Sequence, residues 1–246
     1  MITLNTFEQF KRAFIVLAAT SLYMALVLAG SSPAHGPIIK LRHGTSSNWS
    51  GYAASGAANS FTSVAASWRQ PSVTCGSQTA YSSYWVGLDG YSSSTVEQLG
   101  TEADCSSGTA RYSAWYEMYP KRSFPVTMVI NPGDAMSASV TYRGSGDYLL
   151  SLADTTTGKT FTTTQKLGSA RRTSAEVVVE APWSGGTLPL ANFGTASFTG
   201  AVANNQPLGG FSNLDPITMV NPYGMKATPS GFDATKRNFS IAWSAQ

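Results

Sequence analysis

Asp89 and Gln98 stand nine positions apart, at the ends of the segment Tyr84-Trp85-Val86-Gly87-Leu88-Asp89-Gly90 and of the run that leads to Gln98-Leu99-Gly100. A carboxylate can take a proton from water. A primary amide can steady an oxyanion through its N–H and hold a water through its carbonyl. These groups matter because histidine is scarce. The only two, His35 and His43, lie ahead of the expected folded body. The reading therefore expects no Ser-His-Asp triad and no histidine-rich metal site, and leaves hydrolytic chemistry to carboxylates, amides and hydroxyls. By itself Gln98 is the kind of residue most often found on a surface. Asp89 before Gly90 can equally be an Asx-turn or a supporting group.

The remaining acids are placed by strand periodicity, in which residues two apart share a face. In Ser174–Glu180, Glu176, Val178 and Glu180 point one way, and Ala175, Val177 and Val179 point toward a core. In residues 112–119, Ser113, Trp115, Glu117 and Tyr119 share a face. Glutamates beside tryptophan and tyrosine suggest the lining of a groove. Solubilising surface glutamates are the plain alternative.

Such elements need a β scaffold. Short alternating runs are expected at 65–68, 84–88, 112–119, 126–130, 136–142, 148–154, 159–164, 174–180, 195–199, 217–220 and 238–243. Gly, Pro, Asn and Asp separate them, and Thr155-Thr156-Thr157-Gly158 is a hairpin signal. The pattern predicts an all-β antiparallel sandwich in one domain, residues 47–246. Ahead of it, Lys11 and Arg12 precede an uncharged apolar run from Ala13 to Ala29, then small residues. This reads as a signal peptide over 1–34 with cleavage near Ala34, followed by a flexible leader at 35–46. The protein is then secreted, with no stable membrane association once the signal is removed.

From residue 44 onward, 12 Lys and Arg balance 12 Asp and Glu, so the body has no electrostatic footprint for nucleic acid. Cys75 and Cys105 are the only cysteines, and in an exported chain such a pair is expected to form a disulfide. Two thiols alone cannot build a structural zinc site, and no metal or other cofactor is expected.

Four blocks of this chain resemble the glutamic peptidases, the G1 or eqolisin family. Ser47-Asn48-Trp49-Ser50-Gly51-Tyr52 is similar to the family's opening. The Tyr84 to Gly100 region resembles its W-V-G-I-D-G block and catalytic glutamine. Ala114-Trp115-Tyr116-Glu117-Met118-Tyr119-Pro120 resembles W-Y-E-W-Y-P, and Ser174 to Glu180 resembles the strand that carries the catalytic glutamate. The blocks run in family order over residues 46–243. The resemblance implies a concanavalin A-like or jelly-roll sandwich with a concave cleft, polypeptide substrates, and Gln98 and Glu180 as the catalytic pair. Glu176 is the other acid on that face and the competitor for the role. Trp85, Asp89, Trp115 and Glu117 fall on positions that line or brace the cleft. Val177 stands where fungal members carry an aromatic residue. The leader is about a dozen residues against their longer propeptide, so activation by propeptide removal is not expected.

In the implied mechanism Glu180 deprotonates a water, Gln98 stabilises the oxyanion, and the protonated Glu180 supplies the leaving nitrogen. This calls for acidic operation. A glycoside hydrolase using Glu117 and Glu180 is the competing reading. It leaves Gln98 without a role. A non-catalytic carbohydrate- or peptide-binding module is the third, and a monomer is the simplest state for a small secreted hydrolase.

Overall fold

The computed structural model describes residues 33–42 and 44–245. The signal-peptide expectation therefore lies outside the described residues except for Pro33 and Ala34. Among the described residues no helix is long and apolar enough to cross a membrane, and the one helical turn is Leu208–Gly210.

Two antiparallel layers face each other. In the first, neighbouring strands are Leu214–Asn221, Trp49–Ser55, Ser174–Glu180, Ser83–Leu88, Val96–Ser106, Thr109–Tyr119 and Phe124–Val126. The second runs Lys159–Lys166, Asp147–Asp154, Ala135–Gly144, Ser63–Arg69, Thr195–Ala203, Phe239–Trp243 and Gly224–Pro229. Leu214–Asn221 pairs with Trp49–Ser55 through its first half and with Gly224–Pro229 through its second, so it joins the layers at one edge. Beside it lie Thr45–Ser46, the one parallel neighbour, and then Lys40–Arg42.

Alternation decides what each layer buries. Tyr84, Val86 and Leu88 point into the space between the sheets with Ala175, Val177, Val179, Leu150 and Leu152, all fully or almost fully buried. Val177 thus packs in the core and not on a cleft wall, so its departure from the fungal pattern is a matter of packing. The other face of the first sheet carries a second apolar cluster of Trp49, Trp85, Val96, Trp115, Val178 and Ile217. Both faces of this sheet are therefore covered.

Two devices hold the cleft-bearing sheet in place. The Cys75–Cys105 disulfide, with Cα atoms 5.3 Å apart, pins the loop after Ser63–Arg69 to the far end of the Gln98 strand. Such a bridge fits an extracellular environment. Asp89 is fully buried, and its carboxylate accepts backbone N–H bonds from Arg171 (2.8 Å), Arg172 (2.6 Å) and Thr173 (2.8 Å), plus the Thr173 hydroxyl (2.9 Å). The Asp89 carboxylate is a brace within the fold. It ties the end of Ser83–Leu88 to the loop that starts Ser174–Glu180.

Two stability results are expected. The Cys75→Ser/Cys105→Ser double variant should lose about 3 kcal/mol in urea unfolding, the chain-entropy value for a loop of this class. Asp89→Ala should lose about 3 kcal/mol or more, because several backbone donors lose a charged acceptor inside the fold.

Candidate active site

The outer face of the first sheet collects the predicted residues from four adjacent strands. Gln98 lies opposite Glu117 on one side and Gly87 on the other. Two residues on, Gly100 lies between Trp85 and Trp115. A Cβ at Gly100 would stand 2.1 Å from the Tyr84 carbonyl oxygen and 2.6 Å from the Trp85 Cβ. Only glycine allows the Trp85 side chain to lie across this strand. Trp85 then meets Trp49 edge-on, with centroids 4.9 Å apart, and its Nε1 donates to Glu180 Oε2 at 2.9 Å. Asn48 Nδ2 donates to the other oxygen, Oε1, at 3.4 Å.

The leader is where structure and expectation part. It was expected to be flexible and to lie ahead of the folded body, yet residues 33–39 are laid along this face. His35 is 2 % exposed. Its ring stacks on Trp115 at 3.6 Å and 5°. Its Nε2 is 3.1 Å from Glu102 Oε1 and its Nδ1 3.4 Å from Glu180 Oε2. Its backbone N–H donates to Glu117 Oε2 at 3.0 Å, and its carbonyl oxygen accepts a very short hydrogen bond from Gln98 Nε2. The physical reason is reach. Six extended residues span about 20 Å, enough to cross a cleft, so a short leader suffices.

Backbone contacts flank His35 on both sides. Ala34 and Trp183 exchange two hydrogen bonds of 3.0 Å, and Ile38 N–H donates to the Gly90 carbonyl at 3.1 Å. Asn48 donates to the Pro37 carbonyl at 3.2 Å and accepts from Ile39 N–H at 2.7 Å. Further along, Lys40 Nζ lies 3.4 Å from the centroid of the Tyr91 ring, and the Tyr91 hydroxyl donates to Asp215.

The electrostatics follow from burial. Burial alone would lower the His35 pKa, but its pairing with Glu102 and Glu180 outweighs this and pushes it up to about 10. Burial works to raise Glu102 too, and there the imidazolium wins and holds the carboxyl below its usual range. Glu180 stays above that range because desolvation exceeds the help from His35 and Trp85. Burial lifts Glu117 to about 7, and burial with the nearby Glu102 charge lifts Asp104 to about 8.

Of the predicted residues, Gln98, Glu180, Trp85, Trp115 and Glu117 come together around His35. Glu176 does not. It shares the face and is fully buried, and neither carboxylate oxygen has a hydrogen-bond partner among the described residues. Desolvation holds its pKa well above the ordinary range. Three contributors escaped the sequence reading: His35, Asn48 and Glu102. Glu102 was accessible in principle, since Gln98, Gly100 and Glu102 share a face by the two-residue period. A surface hollow of about 1070 Å³ lies elsewhere, beside Thr45, Thr187 and Tyr223. Next to His35 only about 120 Å³ remains open, because the chain itself fills the groove.

The Peptidase A4 family model matches residues 47–231. Scytalido-glutamic peptidase, solved with a transition state analog inhibitor, superposes with a TM-score of 0.69 at 25% identity, over 80% of this chain and 98% of that one. SCP-B, an eqolisin solved with the tripeptide Ala-Ile-His, gives 0.65 at 24% identity over 80% and 98%. Aspergilloglutamic peptidase from Aspergillus niger gives 0.60 at 24% over 67% and 99%. At that identity the last two show likeness of fold. No curated protein sequence matches significantly. A family model that spans most of the chain, over a matching fold, makes this protein a member of the Peptidase A4 family of glutamic (G1) peptidases, and hence a peptide-bond hydrolase.

Proposed function

We propose that the protein is a secreted acid endopeptidase in which Gln98 and Glu180 act on the peptide bond as a pair. One observation carries the reading: a backbone carbonyl, that of His35, rests on the Gln98 amide beside the buried Glu180 carboxylate. The segment stands in for a bound polypeptide, with the His35 carbonyl as the scissile carbonyl and Gly36 N as the leaving nitrogen.

Glu180, ionised, takes a proton from water while the water oxygen bonds to the carbonyl carbon. The π electrons move onto the carbonyl oxygen, where the Gln98 N–H meets the developing negative charge. The C–N bond then breaks, and the proton held by Glu180 passes to the departing nitrogen. Trp85 and Asn48 hold the carboxylate in place, and Glu117 holds the substrate N–H on the acyl side. Glu180 is favoured over Glu176 because it touches the bound segment. The glycosidase reading leaves the carbonyl contact of Gln98 unexplained. A second polypeptide can enter only when residues 33–39 have left the groove.

The pH dependence follows from the signs. Glu180 must be deprotonated, so the rate falls as pH drops through its pKa, which burial places above the ordinary carboxylate value. Glu117 ionises near pH 7 and adds a negative charge close to Glu180 and the oxyanion, so the rate falls again there. The kcat profile, which reports the occupied groove, should be a bell on the acid side of pH 7, and Glu117→Gln should remove its upper limb. A maximum at or above neutral pH speaks against the mechanism.

With denatured casein at the maximum of that profile, Gln98→Ala should cut kcat by about 10²–10³-fold. Glu180→Gln should abolish turnover, and Glu176→Gln should retain it. The reverse order for the two glutamates refutes the assignment of the pair.

A further inference from the structure

We infer that the pocket on the acyl side of the scissile bond selects a flat cationic side chain, imidazolium or guanidinium, through the Trp115 ring and the Glu102 carboxylate. The inference rests on the proposed pair for which bond is cut. The pocket itself rests on geometry that is independent of that reading.

His35 occupies the pocket in a defined register. Its N–H is held by Glu117 and its carbonyl by Gln98. Backbone bonds at Ala34 on one side and at Pro37 and Ile38 on the other run the chain straight through. A peptide so anchored can only project the side chain before the cut into the space between Trp115 and Glu102. Loose packing of a surface leader would not produce this double-sided anchoring.

The chemistry of the walls sets what fits. Glu102, Asp104, Glu117 and Glu180 converge here, and among the described ion pairs the only basic partner of any of them is His35. A neutral side chain would leave the Glu102 carboxylate with only the Ser83 and Ser113 hydroxyls, at 3.3 and 3.1 Å, and no cation, which disfavours binding. Ring centroids 3.6 Å apart and nearly parallel planes demand a flat group. That favours imidazolium and guanidinium over the rounded lysine ammonium, since only the planar groups combine charge with stacking. The open space of about 120 Å³ next to His35, lined by Glu102, Ser113, Ser123 and Pro125, gives a longer arginine somewhere to go. Glu102 also suits the task at acid pH, because its pairing with the bound cation keeps it ionised below its ordinary range.

The test uses the full chain and internally quenched peptides that differ only in the residue before the cut: His, Arg, Lys, Leu or Phe. At about pH 5, where imidazole is charged, His and Arg peptides should exceed the Leu peptide at least tenfold in kcat/KM. Glu102→Gln should shrink the His-to-Leu ratio at least tenfold, mainly through KM, and Glu102→Asp should restore part of it. A Leu or Phe peptide cut as fast as the His peptide overturns the pocket assignment, as does a ratio that ignores Glu102→Gln. If no peptide is cut at any pH, either residues 33–39 have stayed in the groove or the catalytic pair fails. The pocket is then judged by unfolding at pH 7. His35→Leu should lower the urea midpoint clearly with Glu102 present and hardly at all in Glu102→Gln. Equal shifts in both backgrounds overturn it.

Discussion

Buried negative charge is the constraint around which this molecule is arranged. Carboxylates taken from water cost several kcal/mol each unless they are paired or neutralised. Here Glu102, Glu117 and Glu180 share one sheet face, with Asp104 close to Glu102. The protein answers in three ways. His35 brings a cation into their midst. Trp85 and Asn48 donate hydrogen bonds to Glu180. Raised pKa values leave Glu117 and Asp104 protonated in acid. Each device is needed because a hydrolytic carboxylate must be held dry enough to be basic and must still ionise.

The sheet makes this possible because it is covered on both faces. One face packs large apolar side chains against the second layer. The other carries a shorter apolar floor of Trp49, Trp85, Trp115 and Val178, with the polar groups rising from its edges. Glycine at position 100 lets the Trp85 ring cross the middle of that floor, and the indole in turn aims at Glu180. The catalytic proposal thus depends on rigid aromatic packing, and the acids sit on strands and not on mobile loops. Asp89 extends the same rigidity, joining two strand ends through backbone hydrogen bonds.

Occupancy of the groove links substrate recognition to the chain's own architecture. The segment from Pro33 to Ile39 pairs through its backbone at both ends, as an extended peptide does when it adds to a sheet. Side-chain chemistry then decides only at the one position where a ring enters a pocket. A protease that recognises polypeptides in this way draws general affinity from main-chain contacts and selectivity from few residues.

Much of the β architecture was legible from sequence. Ser174–Glu180 and Asp147–Asp154 alternate cleanly and form where expected. Residues 126–130 read as a strand, yet only Phe124–Val126 pairs, because the chain turns away beyond it. Val96–Ser106 went unseen as a strand, since its polar residues are buried too and the usual in–out contrast vanishes. The family blocks placed Gln98, Glu117 and Glu180 in one cleft, since local sequence records which side chains share a face. It does not record which distant groups share a charge environment. That Glu176 would lie apart from the bound segment, and that His35 would be buried between acids, were settled only by folding. Pair energies depend on separation and burial across strands, and these quantities exist only once the sheets have packed.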